Sequence, residues 1–101
     1  TIEPLCQGSK ILVVDDEHSL VNLCLLIFEQ AGYHVRGAFS GKQALQMVGD
    51  EMPDLILLDV MMPGMDGIEV CRRIRQLELA QRPYILMYTA DDRQNTKTES
   101  L

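Results

Sequence analysis

Positive charge is what this chain has least of. Nine Lys and Arg stand against 15 Asp and Glu in 101 residues, for a net charge of −6 and a pI near 4.7. That balance lacks the basic footprint of a direct nucleic-acid binder. Cysteine is scarce and shows no pattern: Cys6, Cys24 and Cys71 are an odd number, with no CxxC spacing. Cys24 and Cys71 fall inside helical patterns, where a free thiol is ordinarily a small apolar residue. Metal ligation and redox roles are therefore set aside for them, and the reading is a reducing cytoplasm. No apolar run approaches the ~20 residues of a membrane span. No charged-then-apolar segment opens the sequence, so neither secretion nor membrane insertion is expected. Repeats, linkers and low-complexity stretches are also missing. The length allows one small domain, and an apolar content of 47% is enough for its core.

What is present alternates in period. Residues 1–9, with Pro4 and Gly8, read as an irregular lead. Lys10–Val14 is a short aliphatic strand. Leu20, Leu23, Cys24, Ile27, Phe28 and Ala31 then follow helical spacing. Val21, Leu25 and Leu26 widen that apolar face, so this helix is expected to be well buried, with Gly32 as its C-terminal stop. His34–Ala38 reads as a second strand. Ser40 can cap a helix running to about Val48, with Ala44, Leu45 and Val48 facing inward. Pro53 and Asp54 introduce a third strand, Leu55–Asp59. A third helix runs from Gly67 to about Leu77, with Ile68, Cys71, Ile74 and Leu77 toward the core and Arg72, Arg73 and Arg75 toward water. Pro83 opens a last strand, Tyr84–Tyr88. Strands and helices in strict alternation predict right-handed βαβ units, hence an α/β doubly wound parallel sheet. After Ala90, the segment DDRQNTKTESL holds no apolar residue before Leu101, so a helix there would have no face to bury.

The chemistry lies in where two of these strands end. Leu55-Ile56-Leu57-Leu58 closes in Asp59 and the sharp turn Met62-Pro63-Gly64-Met65-Asp66-Gly67; Ile11-Leu12-Val13-Val14 closes in Asp15-Asp16-Glu17. Aliphatic runs of this kind are buried parallel strands, and open α/β sheets bind ligands at the strands' carboxyl ends. Neighbouring strands would bring three carboxylates to one crevice. Like charges there raise one another's pKa and call for a cation. Magnesium, which takes oxygen ligands and keeps waters, suits the set. Asp16 and Asp59 would supply carboxylates, Asp15 would hold a metal water, and the Met61 carbonyl would complete the protein ligands. Such a half-open site admits a phosphoryl oxygen, and Asp59 can act as the nucleophile that takes the phosphoryl group. Thr89, ending the neighbouring strand, can offer its hydroxyl to a phosphoryl oxygen.

With these residues the chain resembles the receiver domain of bacterial two-component response regulators. The matching segments are Ile11–Glu17, Asp54–Gly67 and Met87–Ala90, and the likeness covers about residues 10–92. It implies a flavodoxin-like (CheY-like) fold. It also implies magnesium held by Asp15, Asp16, Asp59 and the Met61 carbonyl, phosphorylation of Asp59 catalysed by the domain itself, and Thr89 as the switch residue. The implied donor is a sensor histidine kinase or a histidine phosphotransfer protein. The family carries a fifth strand and helix and a lysine at the end of strand five. Here the sequence reads as stopping before them: Lys97 is the only lysine after Thr89, and residues 93–101 form a polar tail in place of the usual fourth helix. With the family's strand order the fourth strand becomes an edge, which favours a homodimer through Tyr84–Tyr88.

Competing readings fit less well. A flavodoxin-like cofactor binder needs a Ser/Thr/Gly-rich phosphate loop after strand one, where this chain has Asp-Asp-Glu-His. A haloacid-dehalogenase-like phosphatase expects an aspartate two residues after the nucleophile, where Met61 stands. The remaining rival is a signalling-incompetent receiver acting as an interaction or dimerisation module. His18 reads as a surface residue at the entry of the first helix, His34 as a strand-edge residue, and Met61, Met62 and Met65 as loop or packing residues.

Overall fold

Each aliphatic run of the sequence forms a strand, and each segment of helical period forms a helix. The computed structural model describes residues 8–77 and 82–89. In chain order the elements are β1 (Lys10–Val14), α1 (His18–Gln30), β2 (His34–Ala38), α2 (Gly41–Asp50), β3 (Leu55–Asp59), α3 (Gly67–Gln76) and β4 (Tyr84–Tyr88). The strands form one sheet in the order β2-β1-β3-β4, parallel at every pairing. The fold is α/β and flavodoxin-like, and β1 and β3 are neighbours, as the acid-ended strands require.

Helix ends follow local chemistry. The Ser40 side chain accepts from the Gln43 N–H at 3.1 Å, and Gln43 Oε1 accepts from the Phe39 N–H at 2.9 Å, so the start of α2 is satisfied from both sides. Asp66 Oδ1 caps α3 by accepting from the Glu69 N–H at 2.9 Å. Helix α1 stops at Gly32, whose φ of 99° is left-handed. The Gly32 N–H donates to Glu29 O at 3.0 Å and the Tyr33 N–H to Phe28 O at 3.1 Å, the paired bonds of a glycine-terminated helix.

Side chains alternate across the strands and build two cores. On one face Leu12, Val14, Ile56 and Leu58 pack with Ala44 and Val48 of α2 and Val70 and Ile74 of α3. On the other, Ile11 and Val13 pack with Val21, and Cys24, Leu25 and Phe28 of α1 lie partly buried against them. Two expectations about helix faces are corrected here. In α1 only Val21 is fully buried, while Leu23, Leu26 and Ile27 stand about half exposed. A helix lying on one sheet face buries a stripe, and the apolar residues beyond that stripe meet no second layer among the described residues. In α3 the buried stripe is Gly67, Val70 and Ile74, with Cys71 beside it; Ile68 is 59% exposed and Leu77 is exposed too. The close approach of Gly67 to the end of β3 sets this rotation. Arg72, Arg73 and Arg75 face water as expected, and both Arg72 and Arg73 pair with Glu69.

Among the described residues β4 is a sheet edge, and Tyr84, Leu86 and Met87 are exposed on it. No helix among them is long and apolar enough to cross a membrane. Cys6, Lys97 and the stretches read as an irregular lead and a polar tail lie wholly or largely outside the described residues.

Candidate metal centre

The chain leaves β1 toward β2 on one side of the sheet and leaves β3 toward β4 on the other, so a crevice opens between the carboxyl ends of β1 and β3. Asp15 follows β1 directly, and its N–H donates to Ala38 O at 3.1 Å, which continues the line of the sheet. Asp59 is the last residue of β3. Asp15 and Asp59 are the buried charged residues of the described chain, 2% and 5% exposed, while Asp16 beside them is open to solvent. One carboxylate oxygen from each of the three lies within 4.8 Å of the others.

Short backbone bonds aim two of these acids. Asp15 Oδ1 accepts from the Glu17 N–H at 2.9 Å, and Asp59 Oδ1 accepts from the Met61 N–H at 3.1 Å. Both are turns in which an aspartate closes on the backbone two residues ahead, a local habit of the residue type. Burial lifts the Asp59 carboxyl from its ordinary 3.8 to about 6, opposed by the Met61 N–H and reinforced by the charges of Asp15 and Asp16. Like-charge repulsion, expected from the sequence, is the smaller contribution; loss of solvation at the strand end is the larger cause.

The other residues singled out in the sequence lie at different distances from this crevice. Met61 lies on the loop just past Asp59, with its backbone turned to that carboxylate. Thr89 follows β4 directly and is partly buried. It sits on the same sheet edge, because Asp59 is registered with Tyr88 and the Val60 N–H donates to Tyr88 O at 2.8 Å. His18 is exposed with its ring stacked 4.0 Å from that of Phe39, and His34 is exposed at the opposite, amino end of the sheet. Met62 is buried in the core, Met65 packs against it and Met61 is exposed, so the three methionines form no common site. The Cys24 thiol is pushed up by burial and by the charge of Asp15, which keeps it protonated and unreactive.

Sequence reasoning missed one residue. The Tyr88 hydroxyl donates to Asp15 Oδ2 at 2.6 Å. Burial and this hydrogen bond to Asp15 push its pKa far above the ordinary tyrosine value. The signal was available in outline: a tyrosine at the last position of the strand that ends beside Thr89.

The donor set fits a hard divalent cation. It is oxygen-only, two of its three acids are buried, and none of the three carboxylates has an ion-pair partner among the described residues. The carboxylates that converge here are those of Asp15, Asp16 and Asp59.

A family model described as the response regulator receiver domain matches residues 11–101. The chain belongs to that family. It is 50% identical over 94 residues to the alkaline phosphatase synthesis transcriptional regulatory protein PhoP of Bacillus subtilis (strain 168), a match covering 93% of this chain and 38% of the relative. A CheY-like receiver domain protein from Methanospirillum hungatei JF-1 superposes with a TM-score of 0.74 at 34% identity, covering 81% of this chain and 64% of its own. The response regulator TrrA of Thermotoga maritima, solved in complex with Mg2+-BeF, gives a TM-score of 0.74 at 33% identity over 91% of this chain and 78% of its own. The chain thus spans well under half the length of the curated relative.

Proposed function

We propose that this receiver domain accepts a phosphoryl group on Asp59, in a magnesium-dependent transfer from a phosphohistidine of a sensor histidine kinase or a histidine phosphotransfer protein. The observation that carries the reading is the convergence of Asp15, Asp16 and Asp59 within 4.8 Å at the carboxyl edge of the sheet. Bound magnesium would neutralise charge on the phosphoryl oxygens. Asp59, Asp16 and the Met61 carbonyl would hold it, and Asp15 would orient its water. The Asp59 oxygen that does not accept from Met61 forms the new bond to phosphorus. The phosphorus–nitrogen bond of the donor breaks as that bond forms, and the departing imidazole nitrogen keeps the electron pair and takes up a proton. Later attack by water returns the carboxylate and releases phosphate, so the domain catalyses both steps on itself. Thr89 offers its hydroxyl to a phosphoryl oxygen and so reports the modification to the rest of the fold. The setting is cytoplasmic, and the acidic domain makes no direct contact with nucleic acid.

Intact mass after incubation with acetyl phosphate tests this. One added phosphoryl group, dependent on magnesium and absent in Asp59→Asn, is the expected result. An unmodified mass, or uptake that persists in Asp59→Asn, removes Asp59 as acceptor.

A second reading rests on the exposed Tyr84, Leu86 and Met87 of β4. In it the domain binds magnesium but serves as a dimerisation module through that edge, with no change of shape on phosphorylation.

A further inference from the structure

We infer that Tyr88 is a positioning residue of the magnesium site, holding Asp15 through its hydroxyl so that this acid meets the ion's water in a fixed orientation. The inference rests on the magnesium reading of the acid trio and extends it to a residue on a third strand.

Strand order and register put Tyr88 there. Asp59 and Tyr88 are partners across β3 and β4, so their side chains leave the sheet on the same face. Asp15 follows β1, on the far side of β3 from β4. The tyrosine ring must therefore cross the strand that carries Asp59 before its hydroxyl reaches Asp15 Oδ2 at 2.6 Å. Phenylalanine would span the same distance but bring no donor.

Asp15 is then gripped at both oxygens. Oδ1 accepts from the Glu17 N–H at 2.9 Å and Oδ2 accepts from Tyr88. Each carboxylate oxygen has two acceptor positions, so one on each remains for the pocket. The first grip is local to the β1–α1 turn and sets the chain's path. The second comes from β4 and sets which way the carboxylate faces. Without the second grip only the Glu17 N–H would orient an acid that is 2% exposed and close to two others. Groups that orient metal-site ligands from behind typically matter by 10- to 100-fold in metal affinity.

Magnesium titrations of the parent chain and of Tyr88→Phe, by calorimetry and by tyrosine fluorescence, test the inference. Tyr88→Phe should weaken magnesium binding by up to about tenfold, since Asp15 reaches the ion through water, while its circular dichroism spectrum stays that of the parent. A phenol hydrogen-bonded to a carboxylate is quenched, so metal-free Asp15→Asn should emit more strongly than metal-free parent. That comparison does not depend on the phenylalanine variant folding. Equal magnesium affinity in parent and Tyr88→Phe overturns the positioning role, as does unchanged emission in Asp15→Asn. A parent chain that binds no magnesium overturns the metal site itself, and the positioning role with it.

Discussion

Gly67 opens α3 pressed against the end of β3, where a Cβ would collide with the carbonyl oxygen of Asp59 and lie 2.8 Å from Val60 Cα. Its N–H donates to Val60 O at 2.9 Å, so the backbone is held close from both directions. The first turn of α3 is thereby packed onto the strand that carries Asp59.

Gly67→Ala should therefore destabilise the fold by about 1–3 kcal/mol, because the obstacle is backbone and cannot rotate aside. Gly49, inside α2 with open space around it, supplies the contrast. Gly49→Ala should stabilise by roughly 0.5–1 kcal/mol through helix propensity alone. Urea unfolding of the two variants checks both signs, and a harmless Gly67→Ala would mean the approach is looser than described.

Asp59 makes stability depend on pH in the direction opposite to a salt-bridged acid. Its folded value of about 6 lies above the ordinary 3.8. Between those values the folded state binds more proton than the unfolded state, so the Asp59 contribution falls as pH rises through that window. Metal-free parent minus Asp59→Asn, followed by urea unfolding from pH 4 to pH 7, should show this decline. Asp59→Asn should be the more stable of the two at pH 7 by about 1–3 kcal/mol. Millimolar magnesium should raise the parent's melting temperature and leave Asp59→Ala unmoved. A parent curve that matches Asp59→Asn at every pH would show that burial does not perturb Asp59.

The β4 edge should pair with a second copy of the chain. Among the described residues β4 ends the sheet with Tyr84, Leu86 and Met87 exposed, and the backbone of an apolar edge strand is a template for another strand. Light scattering should show a mass that climbs above the 11.4 kDa monomer as concentration rises. Leu86→Lys should return it to monomer. A constant monomer mass across concentration would refute the pairing.

Legibility from sequence divides along the distance over which each feature is set. The strands β1 and β3 and the acids that end them were readable because an aliphatic run followed by a turn is a local pattern. Ser40 and Gly32 were readable for the same reason, since a cap and a left-handed stop involve only a few neighbouring residues. Helix faces were read less well. The apolar period of α1 was real, yet Leu23, Leu26 and Ile27 are half exposed, because period reveals a face and says nothing about what lies on it. In α3 the pattern Ile68, Cys71, Ile74, Leu77 competed with Gly67, Val70, Ile74, and contact with β3 decided for the second.

By itself the sequence determined an alternating α/β chain with carboxylates at the ends of two buried strands, since hydrophobic period and turn residues act over a few positions. Only the tertiary structure decided how those carboxylates behave. The charge of Asp59 depends on burial at the carboxyl end of β3, and solvation is a property of the assembled fold. The bond from Tyr88 to Asp15 joins residues 73 positions apart. It exists because the order β1-β3-β4 and the register of Asp59 with Tyr88 lay one ring across a strand, which no local pattern encodes.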